Sequence, residues 1–392
     1  MICVGIDVAK DKHDCFIINS DGEILFDVFT IQNNLDGFRL LLKNILSVSK
    51  NLNEIKVGLE ATGHYSYNIL GFLLNNNLNI YVINPLYTSL YRKSLSLRKT
   101  KTDKVDAHTI ASMLMSDVDL KPYSKSLYHN EELKSLTRYR FDKVKERATL
   151  KTSISRLVNI LFPELEKIVS TIHLDSIYNL LYALPGASMI TNCTCEEVSN
   201  IIYDKSSRGK LSLEKVQLIY DEAKSSIGSI MPAKSLELKH TIKLIRELDS
   251  EIDEIETEIN KIMDEIQSPI LSIPGISYRM GAMIIAEIGD FSNFESPDKI
   301  LAFSGLSPST YQSGQLTSSY SHMEKRGSKY LRYALFNATK FVCKWDTTFN
   351  AYLMKKRAEG KHYNVAISHA CKKLVRVIYH LETTNQQYIK VA

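Results

Sequence analysis

Over its first hundred or so residues the chain switches repeatedly between strand-like and helix-like hydrophobic spacing. Ile2–Val8 and Cys15–Asn19 read as strands, Asp21-Gly22 has the composition of a tight hairpin turn, and Ile24–Ile31 resumes the strand pattern. Leu35–Leu46 has helical periodicity, Ile55–Glu60 reads as a strand and Tyr65–Leu74 as a helix. Ile80–Ile83 then forms a strand that stops before Pro85, and Asp103–Met115 reads as a helix. Three meandering strands followed by alternating elements predict an α/β unit with a mixed sheet over residues 1–125. No G-x-G-x-x-G follows the first strand, and Gly209-Lys210 is followed by Leu211 rather than a hydroxyl side chain. Neither a dinucleotide fold nor a Walker A site is therefore expected.

From residue 126 the spacing is helical. A basic helix is predicted from Glu131 to about Ile160, with Leu133, Leu136, Val144, Leu150, Ile154, Leu157 and Leu161 as its apolar positions and Pro163 as its stop. A second runs from about Ser235 to Ile266, where Leu238, Ile245, Ile252, Ile259 and Ile266 recur every seven residues. Leu248, Ile255 and Ile262 sit three further on, which is the seam of a coiled coil. The acidic flanks of this helix complement the basic one before it. Two arrangements stay open: an antiparallel pair within the chain, or a seam between subunits. The stretch 164–234 reads as a small helical insert with turns at Pro185-Gly186 and Arg208-Gly209. In the last stretch, Ile273-Pro274-Gly275-Ile276 followed by Met280–Ile288 resembles the start of a helix–hairpin–helix, whose turn can offer backbone N–H groups to a phosphate. The expected class is α/β plus all-α, with boundaries at 1–125, 126–268 and 269–392.

Composition narrows the function classes. At 392 residues and 44% hydrophobic, the chain can bury ordinary cores, which excludes a disordered or collagen-like protein. No apolar run approaches the roughly 18–20 residues of a membrane span, and the start Met1-Ile2-Cys3-Val4-Gly5-Ile6-Asp7 has no basic, apolar leader pattern. Six scattered cysteines do not form a disulfide framework, so a prokaryotic cytosolic or nucleoid location is expected. The formal net charge of +5 hides strong asymmetry. Arg92–Arg156 holds sixteen Lys/Arg against eight Asp/Glu, and residues 321–380 hold thirteen against three, whereas Glu247–Glu265 holds nine acids and one lysine. Basic regions of this size suit a polyanion, with DNA, RNA and acidic protein partners all open on charge alone.

The carboxylates carry the chemistry. In the first strand Cys3, Gly5 and Asp7 share one face; in the later strand Lys56, Gly58 and Glu60 do the same. Each acid therefore lies two residues beyond a glycine on its own face, where bare backbone leaves room for a closely approaching ligand or metal. The helix near Thr102 adds Asp103 and Asp106, three apart and on one helical face. Acids from two strands and a helix are what a hard divalent ion needs. Two such ions can activate a nucleophile and stabilise the leaving oxygen in phosphodiester displacement. Asp11 and Asp14 read as surface acids.

These residues also carry a resemblance. Gly5-Ile6-Asp7-Val8-Ala9-Lys10, Glu60-Ala61-Thr62-Gly63-His64-Tyr65 and Lys99-Thr100-Lys101-Thr102-Asp103-Lys104-Val105-Asp106-Ala107 resemble the signatures of DEDD transposases, the insertion-sequence recombinases related to the pilin-gene invertases. Ser207-Arg208-Gly209-Lys210 and Ser226-Ile227-Gly228 are similar to that family's linker. Ile273-Pro274-Gly275-Ile276, Ala302-Phe303-Ser304-Gly305-Leu306, Gln312-Ser313-Gly314 and Lys325-Arg326-Gly327 are similar to its transposase domain. The resemblance implies a ribonuclease-H-like first unit of the junction-resolvase (RuvC) kind. It makes Asp7, Glu60, Asp103 and Asp106 a tetrad for Mg²⁺ (or Mn²⁺), and Ser313 a nucleophile that forms a covalent seryl–DNA ester. It further implies target and donor DNA as substrates, a structured noncoding RNA as guide, and a homodimer or homotetramer with no membrane role. Lys99, Lys101, Arg138, Arg140, Lys325, Arg326, Lys329 and Arg332 are then the candidate contacts to nucleic-acid backbones. Two other readings compete: a resolvase-like nuclease in which metal-activated water attacks, and a non-catalytic nucleic-acid scaffold.

Overall fold

A computed structural model describes the chain apart from residues 61–62, 84, 96–102, 117–119, 121, 124, 204–210, 309–311, 314–315, 318–322 and 391–392; for Asp103 and Ser313 it describes the backbone only. It divides into two compact units, Met1–His129 and Asn130–Ala392. The helical middle and the last stretch, read apart in the sequence, share the second unit.

The first unit contains β1 (Ile2–Val8), β2 (Lys12–Asn19), β3 (Ile24–Gln32), α1 (Leu35–Val48), β4 (Ile55–Glu60), α2 (Tyr67–Asn75), β5 (Asn79–Ile83), α3 (Pro85–Leu95) and α4 (Asp103–Met115). Its sheet has the order β3-β2-β1-β4-β5. The first three strands are antiparallel, and β4 runs parallel to both β1 and β5. This is the mixed sheet that the strand and helix pattern predicted. Alternation dresses its two faces differently. On one, Val4, Ile6, Val57, Leu59 and Ile80 pack against Phe38, Leu41 and Ile45 of α1 and Ile69 and Leu73 of α2. On the other, Cys3, Phe16 and Ile18 meet Ala107, Ala111 and Leu114 of α4. Each fully buried aliphatic side chain here contributes about 1.5–3 kcal/mol.

The glycines beside the acids are explained by α4. A Cβ on Gly5 would lie 2.1 Å from the Ala107 carbonyl oxygen and 2.6 Å from the Ala111 nitrogen; one on Gly58 would lie 2.7 Å from Ile110 Cγ2. The bare backbone expected to admit a ligand instead admits a helix.

The second unit begins with α5 (Lys125–Leu161), whose first residues belong to the first unit. It continues through α6 (Leu165–Ile168), α7 (Asp175–Ala183), α8 (Ala187–Ile190), α9 (Cys195–Ile202), α10 (Leu213–Lys224) and α11 (Pro232–Ile266). After these come α12 (Tyr278–Ile288), α13 (Pro297–Phe303), a short hairpin of β6 (Gln312–Ser313) and β7 (Leu316–Thr317), α14 (Lys329–Trp345), α15 (Thr347–Ala358) and α16 (Tyr363–Thr384). Ion pairs Arg140–Glu256, Lys143–Glu251, Arg147–Asp249 and Arg156–Glu237 run in opposite residue order, so α5 and α11 are antiparallel neighbours within one chain. Partly exposed pairs of this kind contribute about 0–1 kcal/mol each, so they fix register more than stability.

The heptad stripe of α11 divides between two cores. Leu238, Ile242 and Ile245 join Ile154, Leu157 and Leu161 among the insert helices. Ile255, Ile259 and Met263 join Leu133, the buried residues of α12 and those of α14 and α16. The seven-residue spacing thus serves one helix embedded in two small cores. Gly275, at φ +94°, sets its bare Cα against the Phe341–Val342 backbone of α14, where a Cβ would come within 2.7 Å. The turn expected to meet phosphate packs on a helix.

One ion pair of the second unit is buried on its acidic side. Arg138 donates Nε to Glu287 Oε1 at 2.6 Å and Nη2 to Oε2 at 3.0 Å, and the Ser328 hydroxyl donates to the same Oε2 at 2.6 Å. The Glu287 side chain is 1% exposed. Its partner lies over the Tyr330 ring, and the hydrogen bond to Glu287 holds the guanidinium pKa above its ordinary value.

Two stability predictions follow. Gly5→Val should cost at least about 2 kcal/mol in urea unfolding, because backbone rather than a flexible side chain must give way. Gly71→Ala on α2, with nothing within 4 Å, should be neutral or stabilising. Arg138→Ala should cost about 3 kcal/mol by stranding a buried carboxylate, whereas Arg156→Ala, from a pair exposed by 64% and 38%, should cost under about 1 kcal/mol in the same assay.

Candidate catalytic site

The parallel register of β1 and β4 sets Gly5 beside Gly58 and Ile6 beside Leu59, so Asp7 and Glu60 are the next pair along. Strands in a sheet lie about 4.8 Å apart. Alternation turns both carboxylates to the face that α4 covers, and both are half-buried. On that helix Ala107 and Ala111 sit over Gly5; Asp106 immediately precedes Ala107, and Asp103 opens the helix one turn earlier. The close approach at Gly5 thus brings the helix bearing two acids onto the strands bearing the other two.

Two residues missed in the sequence join this neighbourhood. Asp14 is not a surface acid: it is 6% exposed, lies opposite Asp7 in the antiparallel β1–β2 register, and accepts a 2.5 Å hydrogen bond from the Thr30 hydroxyl. Its position two residues before Phe16, on the same face of the strand, was the available signal. The other is Arg92 on α3, a helix not expected from the sequence although Pro85 suits a first helical turn. The Thr88 hydroxyl lies 3.0 Å from Glu60 Oε1 and 2.9 Å from the Pro85 carbonyl. One turn on, Arg92 Nη1 is paired with Asp106 Oδ1. Tyr91 donates to the Ser112 carbonyl at 3.3 Å and ties the helix to α4. One face of α3 therefore touches Glu60 and Asp106 together.

The donor chemistry fits a hard cation. Carboxylate oxygens suit Mg²⁺ or Mn²⁺, and the set contains none of the thiolate or imidazole ligands that zinc favours. Among the described residues no three His, Cys, Asp or Glu side chains stand together as an ion cage. The Asp103 side chain lies outside the described residues, and Asp106 is engaged by Arg92.

In the second unit Ser313 stands on β6, paired with Leu316 of β7. A bridge between Pro308 and Met323 closes the base of that segment. The Ser313 side chain, like Lys99, Lys101 and the Ser207–Lys210 motif, lies outside the described residues. Lys325, Arg326 and Lys329 are exposed at the entrance to α14. Arg332 is half-buried and donates to the Ser304 and Lys325 carbonyls at 3.0 and 3.2 Å, so it braces that turn. Arg138 and Arg140 are engaged by Glu287 and Glu256.

Comparison with known proteins identifies the family. A family model described as a transposase matches residues 4–163, and one described as a transposase of the IS116/IS110/IS902 family matches residues 267–354. An uncharacterised 44.8 kDa protein of insertion element IS116 from Streptomyces clavuligerus is 24% identical over 96% of this chain and 94% of its own. The pilin gene-inverting protein of Moraxella bovis is 24% identical over 99% of this chain and 97% of its own. Among solved structures, RuvC of Thermus thermophilus matches 31% of this chain and 100% of its own, at 13% identity and a TM-score of 0.25. Two models of one family together cover more than half of the sequence, in the order the resemblance requires, and the chain belongs to the IS116/IS110/IS902 family of transposases.

Proposed function

We propose that this transposase cuts and rejoins target and donor DNA through Asp7, Glu60, Asp103 and Asp106 with Mg²⁺ or Mn²⁺, and through Ser313 as a covalent nucleophile. The observation that supports this most is the adjacency of Asp7 and Glu60 beneath the helix that begins at Asp103. When bound, divalent ions supply charge stabilisation to a phosphodiester and lower the pKa of a nearby hydroxyl. The four carboxylates would hold the ions. The Ser313 hydroxyl gives its proton to solvent water as its oxygen forms a bond to phosphorus, and the bond from phosphorus to the leaving deoxyribose oxygen breaks, that oxygen taking up a proton from solvent. The ester conserves the bond energy, so a hydroxyl from another strand can reverse the step and rejoin DNA.

A structured noncoding RNA that pairs with target and donor, and assembly as a homodimer or homotetramer, belong to the same reading through the family resemblance. Base pairing then reads sequence, and exposed cations such as Lys325, Arg326 and Lys329 hold backbones.

The test is a covalent-adduct assay on full-length protein with element-junction DNA and RNA transcribed from the sequence flanking the gene. Wild type should give a denaturant-resistant protein–DNA species with Mg²⁺ and none with EDTA. Ser313→Ala should bind DNA yet give no adduct, and Asp7→Asn should lower strand exchange by roughly a hundredfold or more. Adducts from Ser313→Ala would remove the serine, and free DNA ends with no adduct from wild type would favour attack by water. Recombination that persists without the RNA would remove the guide.

A further inference from the structure

One face of α3 touches two of the four acids. Its placement does not depend on Arg92. Pro85 starts it at the end of β5, Tyr91 fastens it to α4, and Thr88 meets Glu60. The Arg92 side chain can therefore leave Asp106 while the helix stays docked. The pair is also not an ordinary surface contact, with side-chain exposures of 26% for Arg92 and 13% for Asp106. Solvent screens it less than the exposed pairs of the second unit.

We propose that Arg92 is the resident counter-cation of the acidic site: its guanidinium holds Asp106 until a divalent ion takes that carboxylate, so guanidinium and ion compete for one ligand. The inference rests on reading Asp7, Glu60, Asp103 and Asp106 as the ion-binding set. Carboxylates gathered on one face repel one another when no ion is present, and a fixed positive charge offsets that repulsion. An arginine is suited to this because it stays protonated across the working pH range, whereas a lysine could lose its charge on burial. The same charge opposes an arriving cation. The site is thereby kept folded without metal, at the expense of metal affinity.

The experiment is a Mn²⁺ titration of the chelator-stripped full-length protein, read by the electron paramagnetic resonance signal of unbound Mn²⁺, with melting temperature as a second readout. Wild type, Arg92→Gln, Arg92→Lys and Asp7→Asn are compared. Arg92→Gln should bind Mn²⁺ about tenfold more tightly, the size of one charge-assisted contact. It should melt lower than wild type in EDTA and gain more from saturating Mn²⁺. Arg92→Lys retains a cationic group whose charge burial weakens; it should fall between the two, and it stands in should Arg92→Gln not fold. If Asp7→Asn weakens Mn²⁺ binding while the Arg92 variants bind it as wild type does or more weakly, Arg92 is a structural strut and the proposal fails with the acid set intact. If Asp7→Asn leaves Mn²⁺ binding unchanged, the acid set itself is wrong and the proposal falls with it.

Discussion

The first unit depends on how closely one helix can approach one sheet. α4 rests on β1 and β4 at Gly5 and Gly58, two positions where any side chain would collide with it. Small residues on both sides, Ala107 and Ala111 against Gly5, make that approach possible. The apolar layer on the opposite face is then free to use ordinary branched side chains from α1 and α2. Because Asp7 and Glu60 continue the glycine face, the acids stand at the rim of this close packing. Half-burial there costs desolvation, which the hydroxyl of Thr88 and the guanidinium of Arg92 offset at Glu60 and Asp106.

The second unit solves a different problem. Its two longest helices carry opposite charge surpluses, and part of that charge meets in a ladder between α5 and α11. The energy lies in the cores at either end of the ladder, each rich in fully buried isoleucine and leucine. Lys325, Arg326 and Lys329 are exposed at the turn that enters α14. There Lys325 adopts a left-handed φ of +53° and Arg332 braces the carbonyls beneath it.

Much of this was legible in the residues. β1 and β4 have the bounds that alternation predicted, and α4 spans Asp103–Met115 as its periodicity required. The placement of Asp7 and Glu60 on one face follows from the same alternation. What the pattern could not supply was contact between distant elements. α3 lacks a strong apolar stripe, with Tyr87 and Leu90 exposed, so its helical period was hidden. Asp14 was misread because a buried carboxylate looks like a surface one until Thr30 and the opposing strand are in place. The heptads of α11 were real, yet one spacing serves equally for a two-stranded seam and for a helix shared between two cores. Charge counts were likewise blind to whether a lysine or arginine faces solvent or an acid across the pair.

α11 has a mechanical consequence. Its 35 residues span about 52 Å at 1.5 Å per residue, and its two halves are rooted in separate cores. Such a helix acts as a ruler with a built-in phase. Adding one residue at its midpoint would lengthen the gap between the cores by about 1.5 Å and turn one against the other by about 100°. Surface connections in this unit can drift in length over evolutionary time, whereas the interval between Ile245 and Ile255 is held to its present count by geometry.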